Sequence, residues 1–343
     1  MAKQSPVAKT IHYEGLTSTV TAHDVREYRQ GLSRAARVAP IIILVASLVV
    51  FGGAGISALS SNAVVGVILF IVGGLIGWGM TRVFFLSDAR MVRLGRFATD
   101  NGWKFDRQPA GLPHQGVIFQ IGRARQRVGV ISVDATDTTM GFELGEYRYT
   151  VGSGKNQRTE WWTYCCIDLD RHVPHMLLDS RRNNMRIFGK DVASNLPSTF
   201  SKSQVVRLEG NFNEYFTLYA PKEYERDAYY IFTPDLMALL IDNSHNYDAE
   251  VIDNKLYFYV QSAGRQHYLT HPQLMYKWLT IIHTVGTKVG RQTDYYADEK
   301  VADRSADVVA TQGRRLRHGV GWFAIIAVIL FFVINIIVEI VWN

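Results

Sequence analysis

The side chains best suited to chemistry lie close together, in Cys165-Cys166-Ile-Asp168-Leu-Asp170-Arg-His172-Val-Pro-His175. Carboxylates beside imidazoles can pass protons to a substrate or ligate a metal. Asp168 and Asp170 are two residues apart, so on a strand they share a face close to His172. The two cysteines argue against a zinc site. The chain holds no second cysteine pair, and as neighbours on a strand, pointing to opposite faces in a compartment expected to be reducing, the two are not expected to form a disulfide. Pro174 is expected to interrupt regular structure between the histidines. Asp134 with Asp137 is a second carboxylate pair. The preferred reading is solvated strand-end charge for both pairs, surface positions for His172 and His175, and structural, unbridged thiols for Cys165 and Cys166. No catalytic residue, metal ligand or cofactor is assigned.

Gly152-Ser-Gly-Lys-Asn-Gln157 invites a phosphate-binding reading. A P-loop needs Gly-x4-Gly-Lys-Ser/Thr between a strand and a helix. Here Tyr149 replaces the first glycine, Asn156 replaces the hydroxyl residue, and strand-like Trp161-Trp162-Thr-Tyr follows. The segment reads as a hairpin tip. A nucleophile elbow and a His-Glu-x-x-His motif are both absent from the chain.

Strands must carry these groups. Phe142–Val151 and Glu160–Leu169, rich in aromatic and β-branched residues, are expected as a hairpin around the glycine loop. Gly116–Gly122 with Arg127–Val133 is expected as another, and Tyr247–Ile252 with Lys255–Val260 as a third, turning at Asp253-Asn254. Gln204-Val-Val and Phe216-Thr-Leu-Tyr open and close a further apolar region. Thr233-Pro-Asp starts a helix with Leu236, Leu239 and Leu240 on its buried side. His271-Pro272 starts another, whose Leu274, Met275, Trp278, Ile282 and Val285 recur at helical spacing as a core stripe. Thr21-Ala-His-Asp begins a short capped helix.

Three apolar runs flank and outlast all of this: Val38–Leu59, Ala63–Leu86 and Val320–Trp342. Each is long enough, at about 20 residues and 1.5 Å per residue, to cross a bilayer core of roughly 30 Å. Ser60-Ser-Asn62 links the first two as a transmembrane hairpin. Gly73 and Gly77 fit a small-xxx-small helix-packing pattern, read as packing within the hairpin in preference to a dimerisation face. A cleaved signal peptide is excluded as the reading of the first run, which begins too deep in the chain and is too long.

Arginines set the orientation. Arg34 and Arg37 precede the first run, Arg82, Arg90, Arg93 and Arg96 lie at and after the end of the second, and Arg314, Arg315 and Arg317 precede the third. The opposite ends carry neither Lys nor Arg. The positive-inside rule therefore places the N-terminal arm and 87–318 in the cytosol, with the hairpin tip and C-terminus outside. Arg34, Arg37, Arg90, Arg93, Arg96, Arg314, Arg315 and Arg317 are expected to meet lipid headgroups. These membrane-edge residues outnumber the net charge of +6, so nucleic-acid binding is not needed to explain the basic balance.

The expected organisation is a cytosolic arm at 1–37, a transmembrane hairpin at 38–86, a cytosolic α+β domain of antiparallel hairpins and helices at 87–290, a basic linker at 291–318 and a C-terminal transmembrane helix at 319–343. Three stretches carry a resemblance: Leu208-Glu-Gly-Asn-Phe-Asn-Glu-Tyr-Phe-Thr-Leu-Tyr219, Asp227-Ala-Tyr-Tyr-Ile-Phe-Thr-Pro-Asp-Leu-Met237 and Asp253-Asn-Lys-Leu-Tyr-Phe-Tyr259. Over roughly 90–262 the chain resembles bacterial membrane proteins of the domain of unknown function 3137 family. The resemblance implies a transmembrane hairpin ahead of an α+β domain opening with an aromatic and Asn-Gly-Trp stretch, here Phe97–Trp103. It implies no catalytic or binding residue, and the third apolar run departs from the simpler arrangement.

The functional expectation is a bacterial inner-membrane protein whose doubly tethered cytosolic domain is a protein-interaction scaffold or assembly factor. Its partners would be the lipid bilayer and another membrane or cytosolic protein, with self-association open. Two alternatives stand beside it. One is a membrane-bound enzyme using Asp168, Asp170, His172 and His175 for acid/base or metal chemistry. The other is a subunit of an oligomeric channel or transporter, with Asn335 as the clearest mid-span polar group.

Overall fold

The computed structural model describes residues 3–7, 10–187, 190–262, 268–319 and 332–333. Two compact units emerge, His12–Phe105, and Met1–Ile11 with Asp106–Asn343. The third apolar run, with Asn335 and Glu339, lies outside the described residues except for Phe332 and Val333.

The His12–Phe105 unit is helical, with α1 (Glu14–Thr17), α2 (Ala22–Gln30), α3 (Arg34–Leu59) and α4 (Ala63–Asp100). Thr21 and Asp24 form a reciprocal capping box that satisfies two orphan N–H groups at the start of α2. Ser33 caps α3, which starts at Arg34 four residues ahead of the apolar run, so Pro40 falls inside the helix and not in its first turn. Asn62 caps α4 through Oδ1, which accepts the Val64 and Val65 N–H groups at 3.0 and 3.3 Å. Helix α4 runs through Ser87 without ending and spans 38 residues.

Both long helices are apolar and bare. Their most apolar windows have mean hydropathies of 2.4 and 2.3, and only 6% and 17% of those windows are buried. Each is long and apolar enough to cross a membrane. The helices meet through small residues. A Cβ on Gly73 would stand 2.4 Å from Phe51 Cβ, and one on Gly77 would stand 2.8 Å from Leu44 Cδ1. Ser47 Oγ donates to the Gly73 carbonyl at 3.2 Å.

The second unit is an antiparallel sheet with helices. The boundary between the units falls within the short β1 (Lys104–Asp106), and the strands that follow are β2 (Arg123–Val133), β3 (Phe142–Val151) and β4 (Arg158–Ser180). A two-stranded ribbon, β5 (Met185–Ile187) and β6 (Lys190–Ala193), follows. Then come β7 (Val205–Val206), α5 (Phe212–Tyr215), β8 (Phe216–Tyr219), α6 (Glu225–Ile231), α7 (Pro234–Ser244), β9 (Asp248–Gln261), α8 (Pro272–Ile281) and α9 (Thr287–Thr293). A π-helical turn at Ile282–Gly286 joins the last two.

Strand β4 is the spine. Its first half pairs with β3 and its last residues pair with β8, while β9 runs along its other edge. Strands β2, β3, β4, β8 and β7 follow one another across the sheet. The β3–β4 hairpin forms where the aromatic pattern places it, with the glycine-rich loop at its tip.

Three expectations are corrected. Gly116–Gly122 is not a strand, because Val117–Gln120 forms a 3-10 turn whose Val117, Ile118 and Phe119 are all buried. Successive buried residues of that kind suit a plug and not a half-exposed strand. Asp253-Asn254 is not a hairpin turn. Asp253 does adopt positive φ (56°), but β9 continues through it because β4 is long enough to pair with both halves. Pro174 does not end β4. The strand accommodates it at register shifts between Asp168 and Val173 and between Val173 and Met176, as proline at a bulge requires.

The core stripe of the α8 region is buried as expected, with Met275, Trp278, Ile282 and Val285 all inside and Leu274 half-buried. The segment expected as a basic linker packs onto the sheet unit. Tyr296, Asp298, Val309 and Leu316 are buried. Gln204 holds Arg317 by both its N–H and its carbonyl, each at 2.9 Å, and the Phe200 and His318 rings stack at 5.6 Å.

Candidate functional site

The four residues read as the best place for acid/base or metal chemistry are dispersed. Asp168 pairs with Lys255 and Asp170 with Lys3, each at 2.5 Å. These two aspartates do share one shallow depression with Arg291 and Asp294. His172 turns to Asp307, with Nδ1 2.9 Å from Oδ2. His175 is buried against Glu250, with Nε2 2.7 Å from Oε1. The register shifts along β4 break the parity that would have put the aspartates and His172 on one face. Among the described residues no group of three His, Cys, Asp or Glu side chains is arranged to hold a metal. Cys165 and Cys166 are buried and unbridged, and burial pushes both thiols upward.

The densest polar arrangement lies on the sheet face under segment 107–121. Arg127 Nη1 stands 2.9 Å from both carboxylate oxygens of Glu143, His114 Nε2 stands 2.8 Å from one of them, and the Tyr164 hydroxyl donates to the same oxygen. Gly145 leaves room for that hydroxyl, since a Cβ there would come within 3.1 Å of it. Burial pushes the Glu143 carboxyl up. The bonds and charges of His114, Tyr164 and Arg127 outweigh burial and hold it at about 2. Arg127 Nη2 also donates to the Ala110 carbonyl at 3.0 Å, which pins the overlying segment.

A second buried carboxylate extends this clasp. Glu250 accepts the Val117 N–H and the Tyr259 hydroxyl, each at 2.8 Å, besides its contact with His175. His175 Nδ1 accepts the Leu316 N–H at 3.0 Å, so the ring proton sits on Nε2 and is donated to Glu250. Gly116 lets the backbone come this close, because a Cβ there would lie 1.8 Å from the Tyr259 hydroxyl. Phe119 fills the centre, with the rings of Tyr147, His114, Tyr164 and Tyr257 at 4.6, 4.7, 5.1 and 5.8 Å. Arg127 Nε is buried without a hydrogen-bond partner; the bonds of the clasp run between its side chains or to the backbone of Ala110, Val117 and Leu316. Their role is to seat segment 107–121 and Leu316 on the sheet.

A third cluster joins the ends of β4 and β9. One step beyond the Leu178–Ala249 pair come Asp179 and Asp248, both buried. Asp248 accepts the Ser180 N–H at 2.8 Å and the side-chain amides of Asn183 and Asn195 at 2.9 and 3.1 Å. Burial and the neighbouring Asp179 nevertheless push Asp248 up to about 8, so the pair holds a proton at neutral pH.

The arginines expected at lipid headgroups divide. Arg93 donates to the Ser18 carbonyl at 3.1 Å, and Arg96 donates to the Thr19 carbonyl at 3.1 Å and pairs with Asp24 at 2.9 Å. Arg90 donates to the Leu86 carbonyl and Arg314 to that of Val309. Arg315 grips Asp253 through two nitrogens, at 2.8 and 3.1 Å. Arg34, Arg37 and Arg317 are exposed. Two open cavities adjoin basic residues. One, of about 380 Å³, lies among α2, α3 and α4 and includes Arg29 and Arg82. The other, of about 270 Å³, is lined by His172, Asp253, Arg314 and Arg315.

Sequence reasoning missed Glu143, Glu250, Asp179 and Asp248. The available signal was a carboxylate inside an otherwise apolar or aromatic strand, which must find partners when buried.

No protein-family model matches the chain, and no curated protein matches it. The crystal structure of the mycobacterial trehalose monomycolate transport factor A, TtfA, aligns with 56% of this chain and 93% of its own length. The identity is 8% and the TM-score 0.34, a likeness that carries no argument about fold or function.

Proposed function

We propose that this is a bacterial inner-membrane protein of the kind it resembles by sequence, with an α+β domain tethered in the cytosol as an interaction scaffold or assembly factor. The observation that carries the membrane reading is the bareness of α3 and α4. Side chains such as Ile41, Val49, Val64 and Leu75 are at least 60% exposed on the isolated chain. In water that surface costs roughly 25 cal/mol per Å² and exceeds what monomeric soluble proteins expose. A bilayer removes the cost.

Membrane fractionation tests the first part. The full chain should stay with membranes through alkaline carbonate and leave only in detergent; release by carbonate refutes the insertion. A reporter fused after Asn343 that is active only on the cytosolic side refutes the orientation. For the scaffold, the solubilised full chain should retain a stoichiometric protein partner after crosslinking in cells. Turnover or a bound metal lost on Asp168→Asn or Asp170→Asn would favour the enzyme alternative instead.

A further inference from the structure

The cavity beside Arg82 lies at a defined depth. Pro40 is twenty residues from Ser60, and Thr81 is nineteen from Asn62. At 1.5 Å per residue both stand about 30 Å from the hairpin tip, the thickness of a bilayer's hydrocarbon core. With the tip at one interface, the cavity falls at the other, where acyl chains give way to phosphates. Its lining changes character in the same way. Ile41, Leu44 and Trp78 provide an apolar wall, and Arg29 and Arg82 provide a basic rim.

The two arginines are not equivalent. Asp88 neutralises Arg29, with Nε 2.7 Å from Oδ2. Arg82 is exposed, has no ion pair among the described residues, and stands 6.0 Å from the Trp78 ring centre. The rim therefore carries one uncompensated positive charge. A volume of about 380 Å³ is at the small end of ligand sites. It suits a headgroup and the first methylenes, with the remaining chain lying along the bare surface of α3.

We infer that this cavity binds one anionic glycerophospholipid, its phosphate on Arg82 and its acyl chain against Ile41, Leu44 and Trp78. The inference rests on the membrane reading above. A zwitterionic lipid brings a cation of its own to the basic rim, so net negative charge is what the site selects.

Native mass spectrometry of the delipidated full chain in neutral detergent, titrated with dioleoylphosphatidylglycerol or dioleoylphosphatidylcholine, tests it. One phosphatidylglycerol should bind at least fivefold more tightly than phosphatidylcholine. Arg82→Gln should remove that preference, and Ile41→Trp, which fills the cavity from an exposed position, should weaken binding of the first lipid at least fivefold. Arg34→Gln/Arg37→Gln should leave it unchanged. Equal loss in that double variant, or no loss in Arg82→Gln and Ile41→Trp, means diffuse attraction to the helix ends and overturns the site. Circular dichroism and elution volume confirm that each variant is folded. Carbonate release of the wild-type chain overturns the membrane reading itself, whereas retention with equal binding of both lipids overturns the site alone.

Discussion

Replacing Asp248 with asparagine should flatten the pH dependence of stability near neutrality. In the folded chain burial and Asp179 raise this carboxyl from 3.8 to about 8. Between those values the folded state binds a proton that the unfolded chain has released. Stability therefore falls as pH rises through this window and levels off above it. One proton corresponds to about 1.4 kcal/mol per pH unit, so the wild type should lose roughly 2 to 3 kcal/mol between pH 6 and 8 from this group. For a chain of this size that is on the order of 3–4 °C in Tm.

Asparagine cannot ionise, and its oxygen can still accept the Ser180 N–H. Its amide nitrogen would face the donors of Asn183 and Asn195. Each of those side chains has an oxygen buried without a hydrogen-bond partner, and an amide flip would turn it toward the new donor. The variant should thus fold, with a shallower slope and a higher relative stability at pH 8 and 9. Thermal melting of the detergent-solubilised full chain, followed by tryptophan fluorescence at pH 6, 7, 8 and 9, measures this. Trp278 is well placed to report, as its ring lies 4.7 Å from that of Tyr247, next to Asp248. Equal slopes in wild type and variant would refute the reasoning.

Glu143 should act in the opposite direction. Its folded value near 2 lies below the ordinary 4.5, so its contribution is present above about pH 4.5 and disappears as pH falls toward 2. Glu143→Gln should remove that acid-side loss in the same melting assay. Gly73→Val should destabilise the hairpin by roughly 1–3 kcal/mol, because its side chain has to displace Phe51. Gly74→Val, with nothing within 4 Å of the added Cβ, should be near neutral in the same detergent melts. Cys165 and Cys166, buried with thiols pushed upward, should react with a maleimide only after denaturation. Prompt labelling of the folded chain would contradict their placement.

What could be read in advance was what local pattern specifies. Thr21 and Asp24 announce their own cap, and the aromatic residues on both sides of Gly152 announce the β3–β4 hairpin. Asp253-Asn254 announced positive φ but not its use, since a turn and a bulge make the same local demand. Only the length of β4 decides between them. The clasp was illegible for a different reason. Glu250 draws on Val117, His175 and Tyr259, and His175 on Leu316, so most partners are separated by many tens of residues. No periodicity connects such residues. Arg93 and Arg96 show the limit on the helical side. Their flank position is that of headgroup residues, yet the α1–α2 connection supplies nearer acceptors at Ser18 and Thr19, and the first turn of α2 supplies Asp24.

Those same two arginines have a mechanical consequence. They strap the N-terminal arm along the part of α4 that outruns its apolar run, and Asn101 bonds to His12 through both its N–H and its carbonyl, at 2.9 and 3.0 Å. The fourteen residues of α4 after Leu86 form a splinted rod of about 21 Å. With Ala63–Leu86 in a bilayer, a tilt change of about 10°, of the size that a thinner or thicker membrane imposes, swings Asp100 by roughly 4 Å. An unsplinted helix end would absorb such a swing by fraying. In that setting the splint would carry a change in membrane thickness to the far end of the rod.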